Sequence, residues 1–259
     1  MEKQTLRPLA IGLIFLMTIA MIPMVTTPKA HALPTPAVFT VDGYQFYRWD
    51  KSGATQVVVV LYGGTIGCPT PTYGYSTPQP YDVKPENEKH WVQELWDFGF
   101  AVVSTKSYVQ YTCTSSSSSS CSAWPHDLRN TLQQWYPRVE FFGHSAGGVI
   151  VASEIIRFAD YPAASFVSAP VNYDTCSQWL FQTAHSAAQD KSHTRLEYGT
   201  SDPLGIASQM DLYRQNAYYG SGKIIMWDYI SGNMHDIFFQ YGTGDYYRAY
   251  VKTFLWQYG

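Results

Sequence analysis

Three residues of the 259-residue chain have the types and placement to act together: Ser145, Asp202 and His235. Ser145 lies in Gly143-His144-Ser145-Ala146-Gly147, which fits G-x-S-x-G, a pattern that can hold a serine on a strained strand-to-helix turn. A serine hydroxyl is a weak nucleophile near neutral pH and needs a base to take its proton as it attacks. An imidazole can be that base, and a carboxylate on its other nitrogen fixes the tautomer and stabilises the cation that forms. The developing oxyanion needs two donors already in place. One is the backbone N–H of Ala146, at the start of a helix. The other is expected from the loop "LYGGTIG", where Gly64 is the chosen donor with Thr65 close behind.

Such a set works only if the elements of the fold bring it together. "AVFTVDGYQFYRWD" alternates large residues around Asp42-Gly43 and predicts an opening hairpin. "QVVVVLY" (56 to 62) is a continuous β-branched run, the mark of a strand buried on both faces. From there helical and strand patterns alternate: a helix in "ENEKHWVQELWDFGF", a strand in "FAVVSTKSY", a helix in "SAWPHDLRNTLQQWY", a strand in "RVEFFG", and a helix in "AGGVIVASEIIRFA". Then come "ASFVSAP" as strand, "TCSQWLFQTAHSAA" as helix, "RLEYG" as strand, "GIASQMDLYRQNAYY" as helix, "KIIMWDYI" as strand and "GDYYRAYVKTFLWQYG" as closing helix. The pattern predicts an α/β fold with a mostly parallel central sheet and helices on both faces. In such sheets ligands sit beyond the carboxyl ends of the strands. Ser145, "TSDP" with Asp202, and "SGNMHD" with His235 follow three of those ends.

Together these residues resemble the α/β-hydrolase superfamily. "GHSAGG" is similar to its nucleophile elbow, "YGG" stands where many members have His-Gly-Gly, and "GTSDP" and "GNMHD" resemble its acid and histidine loops. The resemblance spans about residues 36 to 259 and keeps the family's chain order of serine, acid, histidine. It implies Ser145 as nucleophile, Asp202 as acid and His235 as base. Asp202 also suits a helix cap, and Asp174 and Asp228 are its rivals, while His185 and His193 compete with His235. His144 is expected to be structural, beneath the elbow, and Asp236 to be a solvated or capping residue. Tyr62 departs from the family's usual histidine.

The first 32 residues carry Lys3 and Arg7, an apolar run from Leu9 to Val25, and an Ala30-His31-Ala32 end. This predicts a secretory signal cut after Ala32, or an uncleaved N-terminal anchor, ahead of a single domain at 33–259 and outside the cytoplasm. Removing the segment moves the formal charge from -3 to -5 and leaves no basic cluster, which argues against nucleic acid as a partner. No membrane contact beyond that anchor is expected. Cys68, Cys113, Cys121 and Cys176 all lie in the exported part and suggest two disulfides. The pairings Cys113-Cys121 with Cys68-Cys176, and Cys68-Cys113 with Cys121-Cys176, both stay open. No cysteine pair has metal-binding C-x-x-C spacing. "YGSGKII" and "YGGTIG" each lack residues that a nucleotide loop requires. No cofactor or metal is therefore expected.

The expected activity is that of an exported serine hydrolase, a carboxylic ester hydrolase. An acyltransferase or serine peptidase on the same site, and a catalytically idle binding module, are the alternatives. Tyr62, Tyr73, Tyr75, Tyr81 and Tyr173 fall in predicted top loops, where they could stack on sugar or aromatic acyl groups or simply pack. The excursion at 170–193 is too short for a large lid. An open cleft suits small or polymer-borne esters.

Overall fold

In the computed structural model of the chain, the residues described are 32–64, 73–75, 79–113, 122–148, 150–151, 164–168, 193–199, 225–230, 235, 237–240 and 242–259. The predicted signal segment ahead of Ala32, the excursion at 170–193 as far as residue 192, Cys68, Cys121 and Cys176 lie outside them.

Strands β1 (Ala37–Val41) and β2 (Tyr44–Trp49) are joined by Asp42 and Gly43, whose φ values are 49° and 81°. Two consecutive positive φ angles are the signature of a type I′ turn, whose twist matches that of an antiparallel pair. The predicted hairpin is therefore present, with Val41 opposite Tyr44.

The β-branched run forms β3 (Gln56–Leu61), buried at every position. After it come β4 (Tyr73–Tyr75), β5 (Ala101–Thr105), β6 (Tyr111–Cys113), β7 (Arg138–His144), β8 (Ala164–Ser168), β9 (His193–Gly199) and β10 (Ile225–Ile230). The main sheet has the order β1-β2-β5-β3-β7-β8-β9-β10. Only the hairpin end is antiparallel, and the six strands from β5 to β10 run parallel. Strands β4 and β6 pair separately as a small antiparallel sheet. That pair is absent from the sequence reading, because three-residue strands in Pro- and Ser-rich segments carry no period to detect.

Side chains alternate across β3, so its valines serve two layers. Val58 and Val60, with Val102 and Phe142, pack against α1 (Glu86–Phe98) through Trp91, Val92 and Leu95. The same layer receives Val251, Phe254 and Leu255 of α3 (Thr243–Tyr258). The opposite face carries α2 (Trp124–Gln133), where Trp124 lies 6.0 Å from Phe46 and Leu128 and Leu132 are buried. Helix α1 starts with Glu86 and Glu88, which favour the positive end of the helix dipole, and stops at Gly99, whose φ of 128° ends the helical path. Among the described residues no helix is long and apolar enough to cross a membrane.

A carboxyl group stands inside this core. Glu140 of β7 is fully buried, and burial pushes its carboxyl well above the usual carboxylate range, with Arg138 opposing. A folded-state value above the unfolded one means the folded chain holds the proton more tightly. The stability this gives is complete below the ordinary value of 4.5 and is lost as pH rises through the folded-state value. Glu140→Gln keeps the shape and cannot ionise. Its thermal midpoint should match the wild type at about pH 4 and exceed it increasingly towards about pH 8. A midpoint difference that stays constant across that range would show that Glu140 does not titrate on folding.

Candidate active site

The main sheet reverses direction at β3: the chain goes from β3 to β5 on one side and then returns to place β7 on the other. The segments leaving β3 and β7 therefore diverge, and the crevice between them is where an open α/β sheet binds ligands. Gly63 and Gly64 follow β3, and Ser145 follows β7.

Ser145 has φ of 58°, a left-handed backbone that costs a side-chain-bearing residue about 1–2 kcal/mol. The glycines on either side make that turn fit. A Cβ on Gly143 would overlap the Gly147 carbonyl, and one on Gly147 would overlap the Leu61 carbonyl oxygen. The helix that begins at Ala146 is thereby seated directly on the end of β3. Across the crevice, a Cβ on Gly63 would stand 2.5 Å from Ser145 Cβ and 2.7 Å from its Oγ. The Gly63–Gly64 loop and the Ser145 hydroxyl are thus in close apposition.

A cavity of about 270 Å³ opens at this point, lined by Gly63, Gly64, Gln79, Lys84, His144 and Ser145 among others. Ser145 is only 8% exposed, so a reactant reaches its hydroxyl through this cavity. Ala146 is fully buried immediately after it. His144 is buried and packs as expected of a structural residue, with its ring edge-on to Phe239 at 4.8 Å, yet it also lines the cavity. His235 is partly buried, and its ring lies 5.0 Å from that of His144. The fold has brought the ring of His235 to that of His144, the neighbour of Ser145, from a distant part of the chain.

The segment after His235 is fixed from below. Phe238 and Phe239 are buried against Trp91, Phe142 and Tyr62. Arg248 of α3, 4% exposed, donates to the Phe238 carbonyl at 2.7 Å and to Glu94 of α1 at 2.8 Å. This clamp ties the histidine loop to two helices at once.

Asp202 and its rival Asp174, like His185 and Thr65, lie outside the described residues. Asp228 is within β10, in register with Glu197, and not at a strand end. His193 opens β9 opposite Ala164, which puts it at the amino end of the parallel strands, away from Ser145. It is thereby removed as a rival base.

Tyr62 proves different from a stacking surface. It is fully buried, its hydroxyl donates to the Glu88 carbonyl at 2.6 Å, and its ring packs near Phe239. Burial, then the Glu88 charge, pushes its phenol well above the ordinary value, so it remains a donor. Tyr81 packs on Trp49 at 4.7 Å, Tyr73 and Tyr75 form β4, and Tyr173 lies outside the described residues. Lys84, Gln79 and Glu88, absent from the sequence reading, complete the cavity wall. In "YDVKPENEKH" Lys84 and Glu88 look like solvated surface charges, and nothing in the local pattern marks their burial.

The same architecture occurs in solved structures. The esterase Pf2001 of Pyrococcus furiosus superposes with a TM-score of 0.61 at 12% identity, over 86% of this chain and 92% of that one. A highly thermostable carboxyl esterase of Bacillus coagulans does so with a TM-score of 0.57 at 11% identity, over 86% and 98%. The chain has the α/β-hydrolase fold. Dipeptidyl peptidase 4 of Porphyromonas gingivalis is also similar, with a TM-score of 0.61 at 12% identity over 86% of this chain and 35% of that one. No protein-family model matches the chain, and no curated protein matches it. Within the α/β-hydrolase fold, the elbow at Ser145 stands at the carboxyl end of β7, beside the reversal at β3.

Proposed function

We propose that this α/β-hydrolase-fold protein is an exported serine hydrolase, a carboxylic ester hydrolase whose domain follows a secretory segment at residues 1–32. The observation that carries the reading is Ser145 itself: a non-glycine residue at φ of 58°, facing the Gly63–Gly64 loop across a cavity. Strain of this kind persists where the surrounding structure enforces it, and it aims the hydroxyl out of the turn.

Ser145 Oγ attacks the ester carbonyl carbon while His235 takes the hydroxyl proton. Asp202 orients the imidazole in this scheme. The N–H groups of Ala146 and Gly64 receive the oxyanion. As the tetrahedral species collapses, the carbon–oxygen bond to the alcohol breaks and His235 returns the proton to that leaving group. Water, deprotonated by the same histidine, then attacks the acyl-enzyme and releases the acid. No metal or cofactor takes part in this chemistry, and neither nucleic acid nor a lipid surface is the substrate. The cavity volume suits short or medium acyl esters, free or carried on a polymer.

A fluorophosphonate probe tests the assignment directly. Peptide mapping should find the adduct on Ser145, and labelling should be lost in Ser145→Ala. A folded wild-type protein that takes no label at Ser145 would overturn the reading. Rates against acetyl, feruloyl and longer acyl esters would then rank the acyl groups.

A further inference from the structure

The Gly63–Gly64 peptide has no side chain on either residue, and glycine backbones rotate more freely than any other. Its amide plane is nevertheless held, from the carbonyl side. Lys84 Nζ donates to the Gly63 oxygen at 2.8 Å, and the Gln79 N–H approaches the same oxygen at 3.4 Å. A carbonyl oxygen has two lone pairs, so both donors can be accommodated. The Gln79 carbonyl in turn accepts Thr105 Oγ1 at 3.0 Å, fixing that donor to the end of β5.

Lys84 is itself immobilised. Its side chain is 3% exposed, and Nζ forms an ion pair with Glu88 Oε2 at 3.0 Å, one turn further on. The ammonium also lies 4.8 Å from the ring centre of Tyr62, the residue before Gly63. Tyr62 donates to the backbone carbonyl of that same Glu88. Two successive residues of the loop are therefore tied to one residue of α1.

In a trans peptide the carbonyl and the N–H point in opposite directions across a rigid plane. Holding the Gly63 oxygen therefore dictates where the Gly64 N–H points. We propose that Lys84 is a positioning residue, whose grip on the Gly63 carbonyl keeps the Gly64 N–H turned towards the oxyanion. This rests on the proposed serine-hydrolase reading and specifies how one of its two donors is preorganised. A rotated peptide would present a carbonyl to the oxyanion and take the acceptor away from a buried ammonium, so the ion pair resists that state. The role belongs to Lys84, whose Nζ bonds the Gly63 carbonyl itself, whereas Glu88 holds Lys84 and Tyr62.

Lys84→Met removes the grip while keeping the length of the apolar stem. With p-nitrophenyl acetate, kcat is expected to fall about 10²-fold, the scale of losing one oxyanion donor, while KM stays within about threefold. Lys84→Arg keeps a cationic donor displaced by one atom and should give an intermediate kcat, about tenfold below wild type. A folded Lys84→Met enzyme with kcat within about threefold of wild type overturns the proposal, as does a loss confined to KM. If Lys84→Met does not fold, Lys84→Arg decides alone: a reduced kcat at constant KM supports the role, and an unchanged kcat overturns it. Failure of the underlying reading looks different, because Ser145→Ala would then retain wild-type turnover whatever stands at position 84.

Discussion

Ser145→Ala is expected to lower ester turnover by about 10⁶-fold while the protein stays folded, since the hydroxyl is the attacking atom and no neighbour can replace it. Residual hydrolysis should reflect binding and the backbone donors alone. A companion variant separates chemistry from strain. Ser145→Gly removes the same hydroxyl but relieves a side chain from φ of 58°. It should be more stable than Ser145→Ala by roughly 0.5–1 kcal/mol, the left-handed cost less the extra chain entropy that glycine loses on folding. Urea unfolding of the two variants measures this difference. Equal midpoints would mean that the strain relieved is no larger than the entropy glycine loses on folding, and wild-type turnover in either would remove Ser145 as nucleophile.

Gly147→Ala should produce the second large effect, this time on folding. The added methyl carbon would lie inside contact distance of the Leu61 carbonyl oxygen, 2.5 Å from Leu61 C and 2.7 Å from the Tyr62 oxygen. All three are backbone atoms at the end of a fully buried strand, so no rotamer change makes room. The helix start has to lift from β3, at a cost of about 3 kcal/mol. Because Ser145 sits two residues earlier on the same turn, the folded fraction should also lose about 10²-fold in turnover through misplacement of about 1 Å. Denaturant midpoints and single-substrate kinetics test both parts. A variant with unchanged stability would mean that the contact of helix on strand is looser than the structure describes.

These two residues were legible in the sequence because local chemistry writes them. Gly143 and Gly147 flank Ser145 at fixed spacing since a Cβ at either would meet backbone, and that requirement appears in the letters themselves. The Asp42-Gly43 hairpin and the valine run of β3 were legible for the same reason: turn type and two-sided burial each restrict residue choice over a few neighbouring positions. Lys84 was not legible. Its meaning comes from a short 3-10 turn at Tyr81–Val83 that carries it back under Gly63, a tertiary approach with no sequence period. Tyr62 looked like a loop aromatic because the residue type is common to both situations, and only the Glu88 carbonyl and the Phe239 ring separate them. His193 misled as a rival base because strand β9 begins two residues before the apparent "RLEYG" pattern, at His193 itself.

The antiparallel hairpin has a practical consequence for handling the molecule. Strand β2 opposes both β1 and β5, so β1 runs in the same direction as β3, and Ala37, paired with Arg48, stands level with Val103 in the middle of β5. The polypeptide thus approaches the outermost strand from the side remote from Ser145, with Leu33 packed against the core on the way. The outermost strand is three inter-strand spacings from β3, about 14 Å. A bead, carrier or display scaffold joined ahead of Ala37 would hold the molecule by its far margin and leave the mouth of the crevice turned outward.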